Sequence, residues 1–166
     1  MLAVADEEAL YLLEFVDRRG LEKEIERLRR KTKQPIIPGK TDPIQQIEIE
    51  LEAYFSGKLQ QFKTPVFLMG SPFQKRVWEA LRKIPAGETR SYAEIAKATG
   101  QPSAVRAVGL ANGSNQLAII IPCHRVIRSD GGMGHYTPDP SLKRQLLHFE
   151  GAAFIEESFC SSAGVC

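Results

Sequence analysis

Two helix starts are written into the chain as a capping residue followed by proline, Asp42-Pro43 and Ser71-Pro72. Proline lacks an amide hydrogen and has φ already near the helical value, so it suits the first helical position and little else in a helix. Apolar stripes at helical spacing follow each start: Ile44, Ile47, Leu51, Tyr54 and Phe55, then Phe73, Val77, Trp78, Leu81 and Ile84. Gly57 ends the first helix. Lys58 to Gly70, with Pro65 and little periodicity, separates the two. The chain thus divides into an N-terminal unit over residues 1–66, a C-terminal unit over 71–151, and a loosely held tail over 152–166.

Shorter elements fill in around these helices. Leu2 to Val4 and Leu10 to Phe15 suit a small antiparallel hairpin that begins abruptly, as though a first strand were missing. Leu21, Ile25 and Leu28 mark a solvated amphipathic helix whose basic run, Arg27 to Lys33, reads as a wet face. Gln34 to Lys40 is a loop. In the second unit, Tyr92 to Thr99, a Gly100-Gln101-Pro102 break and a helix from a Ser103 cap to Ala111 make a helix-turn-helix signal. Leu117 to Ile121 reads as a buried strand or extended segment ending at Pro122. Asp130-Gly131-Gly132 is a turn, Thr137 to Pro140 a stiff loop, and Leu142 to Phe149 a last helix closed by Gly151. The expected class is α+β, a small sheet-plus-helix unit followed by a mainly helical, winged helix-turn-helix-like domain.

Composition narrows the chemistry. A chain of 166 residues, 43% apolar, can bury a core without metal or disulfide help. Its formal net charge is only +2, so any nucleic-acid contact must come from local arrangement. Three cysteines, Cys123, Cys160 and Cys166, are not a secreted disulfide framework, and with His124, His135 and His148 they form no metal-ligand pattern. No apolar run reaches the roughly 20 residues of a membrane helix, and no basic start with an apolar core marks a signal peptide. A cytoplasmic protein with no membrane partner is expected.

The chemistry concentrates at Pro122-Cys123-His124-Arg125, a thiol behind an apolar segment flanked by an imidazole and a guanidinium. A thiol attacks only as thiolate, and a base or positive groups nearby raise the thiolate fraction. In an extended chain, however, sequence neighbours point apart, so His124 would reach Cys123 only through a water or a bent backbone. A lone cysteine here is also compatible with an inert core residue.

The runs IPCHRVI, SYAEIA, RAVGLAN and LLHFEG resemble the O6-alkylguanine-DNA alkyltransferase family over about Ser71 to Gly151. That resemblance implies repair by a single irreversible transfer of an alkyl group from O6 of guanine, or O4 of thymine, to Cys123. It also implies roles for individual residues. His124 would take the thiol proton through a water, and Glu150 would orient His124. Asn115 would order the turn before the cysteine. Tyr92 would protonate N3 of the leaving guanine or push its 3′ phosphate, and Arg106 would fill the gap left by the extruded base. Ser103, Ala104, Ala107 and Gly109 would face a narrow minor groove without reading sequence. Pro122, Val126, Tyr136 and Thr137 would shape the pocket. Ser91, Ser114 and Gln116 are weaker candidates for phosphate or sugar contacts. The implied partner is double-stranded DNA carrying O6-alkylguanine, bound by a monomer, with no cofactor and no metal.

One departure from the family pattern concerns the pocket lip. Where the family has tyrosine, a small residue and two glycines, this chain has Tyr136-Thr137-Pro138-Asp139-Pro140. Pro138 and Pro140 cannot donate and stiffen the loop, so a pocket less forgiving of bulky O6 groups is expected. Gln116 also stands where proline usually follows the asparagine. The rival reading is a helix-turn-helix binder of DNA or of alkyl damage that performs no repair. A regulator of that kind would carry polar, base-reading side chains on its second helix, and the run Ser103 to Ala111 has one long polar residue, Arg106.

Overall fold

In the computed structural model, which describes residues 1–134, 136 and 139–155, strand β2 (Leu10–Glu14) is the piece that joins the two halves of the chain. On one edge it pairs antiparallel with β1 (Leu2–Ala5), Leu2 opposite Glu14 and Val4 opposite Leu12. On the other edge Leu10 exchanges hydrogen bonds with Pro65 and Phe67, and Leu13 with Gln116 and Ala118. Both edges of this short apolar strand are therefore satisfied inside the molecule.

Helix α1 (Leu21–Thr32) buries only Leu28 and leaves its basic run exposed, as its charge pattern predicts. Helix α2 (Asp42–Phe55) starts one residue earlier than the sequence reading: Thr41 is the cap, without a side-chain hydrogen bond, and Asp42 is the first helical residue. Its buried side includes Glu50, outside the apolar stripe. That carboxylate accepts from Lys63 N, Thr64 N and Thr64 Oγ1 at 2.9, 3.1 and 2.8 Å and pins the inter-helix loop to α2. Phe55, counted in the stripe, is 48% exposed.

Helix α3 (Pro72–Leu81) carries the predicted cap, completed by reciprocal Ser71 and Gln74 hydrogen bonds. Trp78 Nε1 donates to Ala111 O at 2.8 Å, which ties α3 to α5. The two-residue strand β3 (Arg90–Ser91) pairs in parallel with β4 (Val126–Ile127). Ser91, with Glu94, forms a second capping box for α4 (Tyr92–Ala98). Gly100, at φ +76°, turns the chain toward α5 (Val105–Gly113). Ala104, not Ser103, is the cap residue, so the second helix of this pair starts one residue later than the sequence suggests.

Two further expectations change. Leu117 to Ile121 is not a strand: Leu117 and Ala118 bridge to neighbours, then the chain turns with Ile119 at φ +72°. Ile119 is fully buried against Tyr54 and Leu146, and burying that side chain outweighs the cost of a left-handed conformation. Pro140 is not loop but the first residue of α6 (Pro140–Phe149), with Asp139 capping Ser141 N at 2.7 Å. Thr137 and Pro138 lie outside the described residues. Beyond α6, Gly151 at φ +70° reverses the chain, Ala152 is buried, and Ile155 N donates to Gly131 O at 2.8 Å. The chain is thus held through Ile155; the remainder of the expected tail, with Cys160 and Cys166, lies outside the described residues. One apolar cluster runs from Leu10, Leu13 and Ile47 through Val77, Trp78 and Leu81 to Val108, Ile121 and Cys123.

Candidate active site

Cys123 opens a single 3₁₀ turn, Cys123–Arg125, directly after the 117–121 loop. Its amide donates to Ile121 O at 2.8 Å, and its carbonyl accepts from Asn112 Nδ2 at 3.3 Å. Asn115 shapes the approach: Oδ1 accepts from Leu117 N at 2.9 Å, while Nδ2 donates to Ile121 O at 2.9 Å and lies 3.2 Å from Cys123 Sγ. One amide side chain thus fixes the turn and offers an N–H to the sulfur. Tyr136 Oη lies 4.0 Å from Sγ. Cys123 is 6% exposed, and burial pushes its thiol up; Glu14 adds to the rise, while Asn115, Tyr136 and the Lys143 charge oppose it. The resting sulfur is a neutral thiol near pH 7 and needs a base.

His124 is fully buried, with Nε2 3.0 Å from Glu150 Oε1. Facing a carboxylate acceptor, Nε2 carries the hydrogen, which leaves Nδ1 as the basic nitrogen. Nδ1 has no hydrogen-bond partner among the described residues. Burial lowers the pKa of His124 against the opposing pull of Glu150, so the ring is neutral near pH 7. Glu150 itself caps α6 and gathers donors from three residues on two elements, α2 and the 3₁₀ turn. Oε1 accepts from Tyr54 Oη at 2.6 Å and Arg125 Nη2 at 2.7 Å, and Oε2 from Arg125 Nε at 2.8 Å. Burial would raise this carboxyl, but the hydrogen bonds from His124, Arg125 and Tyr54 hold it far below the ordinary carboxylate range. Arg125 is anchored in turn by Nη1 on Ile84 O at 2.5 Å.

Behind the sulfur, Lys143 is completely buried on α6 and donates to Val126 O at 2.6 Å and to Met133 O. Burial lowers it to about 8, against the attraction of Cys123. In front, a cavity of about 630 Å³ opens over Cys123. Tyr92, Arg106, Gly109, Asn115, Cys123 and Tyr136 all line it, from α4, α5, the residues just after α5, the 3₁₀ turn and the segment before α6. Tyr92 is half-buried at the start of α4, and Arg106 is exposed on the first turn of α5. Ser103, Ala104 and Ala107 lie on or just before α5 but are not part of the cavity wall, and Pro122 and Val126 are buried on either side of the 3₁₀ turn. Ser91 is a helix cap, Ser114 Oγ accepts from Gln74 Nε2 at 2.9 Å, and Gln116 Nε2 donates to Glu24 Oε2 at 2.6 Å. Thr137 is outside the described residues.

Sequence reasoning missed Asn112, Tyr54, Lys143, Glu14 and Arg18. The last two carried a signal: Glu14 interrupts the apolar run Leu10 to Phe15, and Arg18 follows at i+4. The other three read as ordinary helix residues, because their roles depend on partners far away in sequence.

Residues 72–152 match the model of the 6-O-methylguanine DNA methyltransferase DNA-binding domain. A methylated-DNA–protein-cysteine methyltransferase of Methanosarcina barkeri is 56% identical over 101 residues, 61% of this chain and 64% of that protein. The chain thus spans less than two thirds of that relative's length. The crystal structure of Mycobacterium tuberculosis OGT in complex with DNA superposes with a TM-score of 0.74 at 39% identity, covering 90% of this chain and 84% of that one. The O6-methylguanine-DNA methyltransferase of Pyrococcus kodakaraensis gives a TM-score of 0.66 at 28% identity, covering 90% and 89%. With its buried-cysteine turn, its paired short helices and these likenesses over most of its length, the chain belongs to the methylated-DNA–protein-cysteine methyltransferase family.

Proposed function

We propose that this chain repairs alkylated DNA by direct reversal, moving the alkyl group from O6 of guanine, or O4 of thymine, onto Cys123 in one irreversible turnover. The observation that carries the reading is a buried thiol, hydrogen-bonded by Asn115, in a cavity that Arg106 also lines. A base stacked in a duplex cannot reach that thiol, so the damaged nucleotide swings out at an unstacking cost of a few kcal/mol. Arg106, at the exposed start of α5, takes its place; a planar guanidinium stacks and hydrogen-bonds with the orphaned base. The small side chains of α5 let the helix approach a minor groove closely, which suits a search independent of sequence by a monomer in the cytoplasm.

The thiol proton passes to His124 Nδ1 through a solvent molecule, since the hydrogen bonds of His124 do not include Cys123. Glu150 holds the ring in the required tautomer and stabilises the imidazolium that forms. The sulfur then displaces guanine from the alkyl carbon in line, and Tyr92 supplies a proton to the leaving base. The thioether is stable, so each molecule acts once.

Mass spectrometry after incubation with duplex carrying O6-methylguanine tests this. One methyl group should appear on Cys123 and be absent in Cys123→Ala. Tight binding of the damaged duplex by the reduced, folded protein with no methyl on the sulfur would leave only a DNA binder.

A further inference from the structure

The turn that brings Asn115 to the sulfur is held from outside its own half of the chain. Gln116 follows Asn115 directly and is 8% exposed. Its carbonyl accepts from Leu13 N at 2.9 Å, and Ala118 N donates to Leu13 O at 2.8 Å, so β2 stitches the backbone of the turn. The side chain of Gln116 takes a different partner: Nε2 donates to Glu24 Oε2 of α1 at 2.6 Å, across 92 positions of chain. Among the described residues, Glu24 is the α1 side chain hydrogen-bonded to the second half of the chain. Arg27 Nη1, the cation beside it, stands 3.8 Å from the same oxygen, too far to compete as a hydrogen-bond donor. The Glu24 side chain is 23% exposed, so its carboxylate takes a charge-assisted bond where water reaches only in part. Neither Glu24 nor Gln116 belongs to the wall of the Cys123 cavity.

We propose that Glu24 and Gln116 are positioning residues for alkyl transfer: α1, through this hydrogen bond, fixes the turn from which the Asn115 amide reaches Cys123 Sγ. The proposal rests on the reading of Cys123 as alkyl acceptor. Proline at 116, the residue of the family pattern, restricts the backbone by its own ring; glutamine leaves the backbone free and needs an outside partner to hold it. The hold matters because the contact to sulfur has little slack. Asn115 Nδ2 serves Ile121 O at 2.9 Å and Sγ at 3.2 Å, while Asn115 N reaches Asn112 O at 3.3 Å. A hydrogen bond weakens steeply as its angle closes, so a small rotation of residue 115 takes the N–H from the sulfur and leaves the packed core intact. In the transfer step that N–H favours thiolate over thiol and opposes the cost of burial.

Methyl transfer from saturating duplex carrying O6-methylguanine, timed in single turnover by the mass of Cys123, tests this alongside duplex affinity and the pH midpoint of iodoacetamide capture at Cys123. Gln116→Glu sets two carboxylates against each other in nearly unchanged volume, and Glu24→Ala removes the acceptor from a half-buried helix position. Each should slow transfer roughly three- to tenfold, leave duplex affinity unchanged and raise the capture midpoint. Gln116→Glu combined with Glu24→Gln puts an amide donor opposite a carboxylate again and should bring rate and midpoint back to wild type. Rates within twofold of wild type in both single variants overturn the proposal. So does slowing with an unmoved capture midpoint, the mark of general destabilisation, or slowing that the paired exchange does not relieve. A wild type that leaves Cys123 unmethylated overturns the acceptor reading instead, and the capture midpoints then decide the tether alone.

Discussion

At the scale of single residues, burial sets the resting protonation state of the site and makes the transfer of a proton from sulfur to imidazole uphill. Burial raises the Cys123 thiol and lowers the His124 imidazole, so near pH 7 the proton rests on sulfur and the acceptor nitrogen is empty. The pH profile of methyl transfer follows. Below the lowered pKa of His124 the ring is already protonated and cannot take the thiol proton, so the rate falls on the acid side. The midpoint of that fall should lie below the ordinary histidine value of 6.5, with a plateau through pH 7 to 8. A single-turnover rate measured from pH 5 to 9 checks this; a midpoint above 6.5 contradicts it. In Glu150→Gln the ring loses its carboxylate partner, and the plateau rate should drop on the order of 10²-fold or more.

At the scale of elements, the segment before Cys123 shows how packing overrides local preference. Ile119 is β-branched and sits at φ +72°, where glycine is the comfortable residue, yet the run Leu117 to Ile121 carries a strand composition. A strand would have pointed alternate side chains away from the core and moved Cys123 from the cavity floor. The turn lets all five residues bury instead. Glycine at 119 therefore loses apolar contact but gains relief from the left-handed conformation, while glycine at 121 only loses. Ile119→Gly should be less destabilising than Ile121→Gly by about 1–2 kcal/mol. Chemical denaturation of the two variants measures the difference, and equal losses would mean that the turn stores no strain.

At the scale of the whole molecule, the two halves share both a core and a hydrogen bond at the candidate site. The apolar cluster that starts at Leu10 and Ile47 ends at Cys123, and Tyr54 of α2 donates to Glu150 at the far end of the chain. Unfolding should accordingly be one transition: Trp78 fluorescence, which reports the second half, and far-ultraviolet dichroism should coincide in denaturant. Tyr54→Phe removes a hydrogen bond to a buried carboxylate and should cost about 1.5–3 kcal/mol. Two separated transitions would show instead that residues 1–66 and 71–151 fold independently.

Elements whose signals are local were legible in the amino-acid sequence. The Ser71 cap, the α3 stripe, the helix-turn-helix pair and the hairpin follow from proline φ, capping hydrogen bonds and periodicity, all settled within a few residues. Cys123 and its neighbours were legible because they are consecutive. The tertiary structure alone decided that His124 faces Glu150 rather than Cys123 and that Asn115 reaches the sulfur. It alone brought Glu14 and Arg18 to the cavity over Cys123, Tyr54 to Glu150, and Lys143 to Val126 and Met133. Those facts rest on contacts between residues up to 96 positions apart and on burial that shifts each group's charge. Neither a residue's distant partners nor its local dielectric is written in its near neighbours.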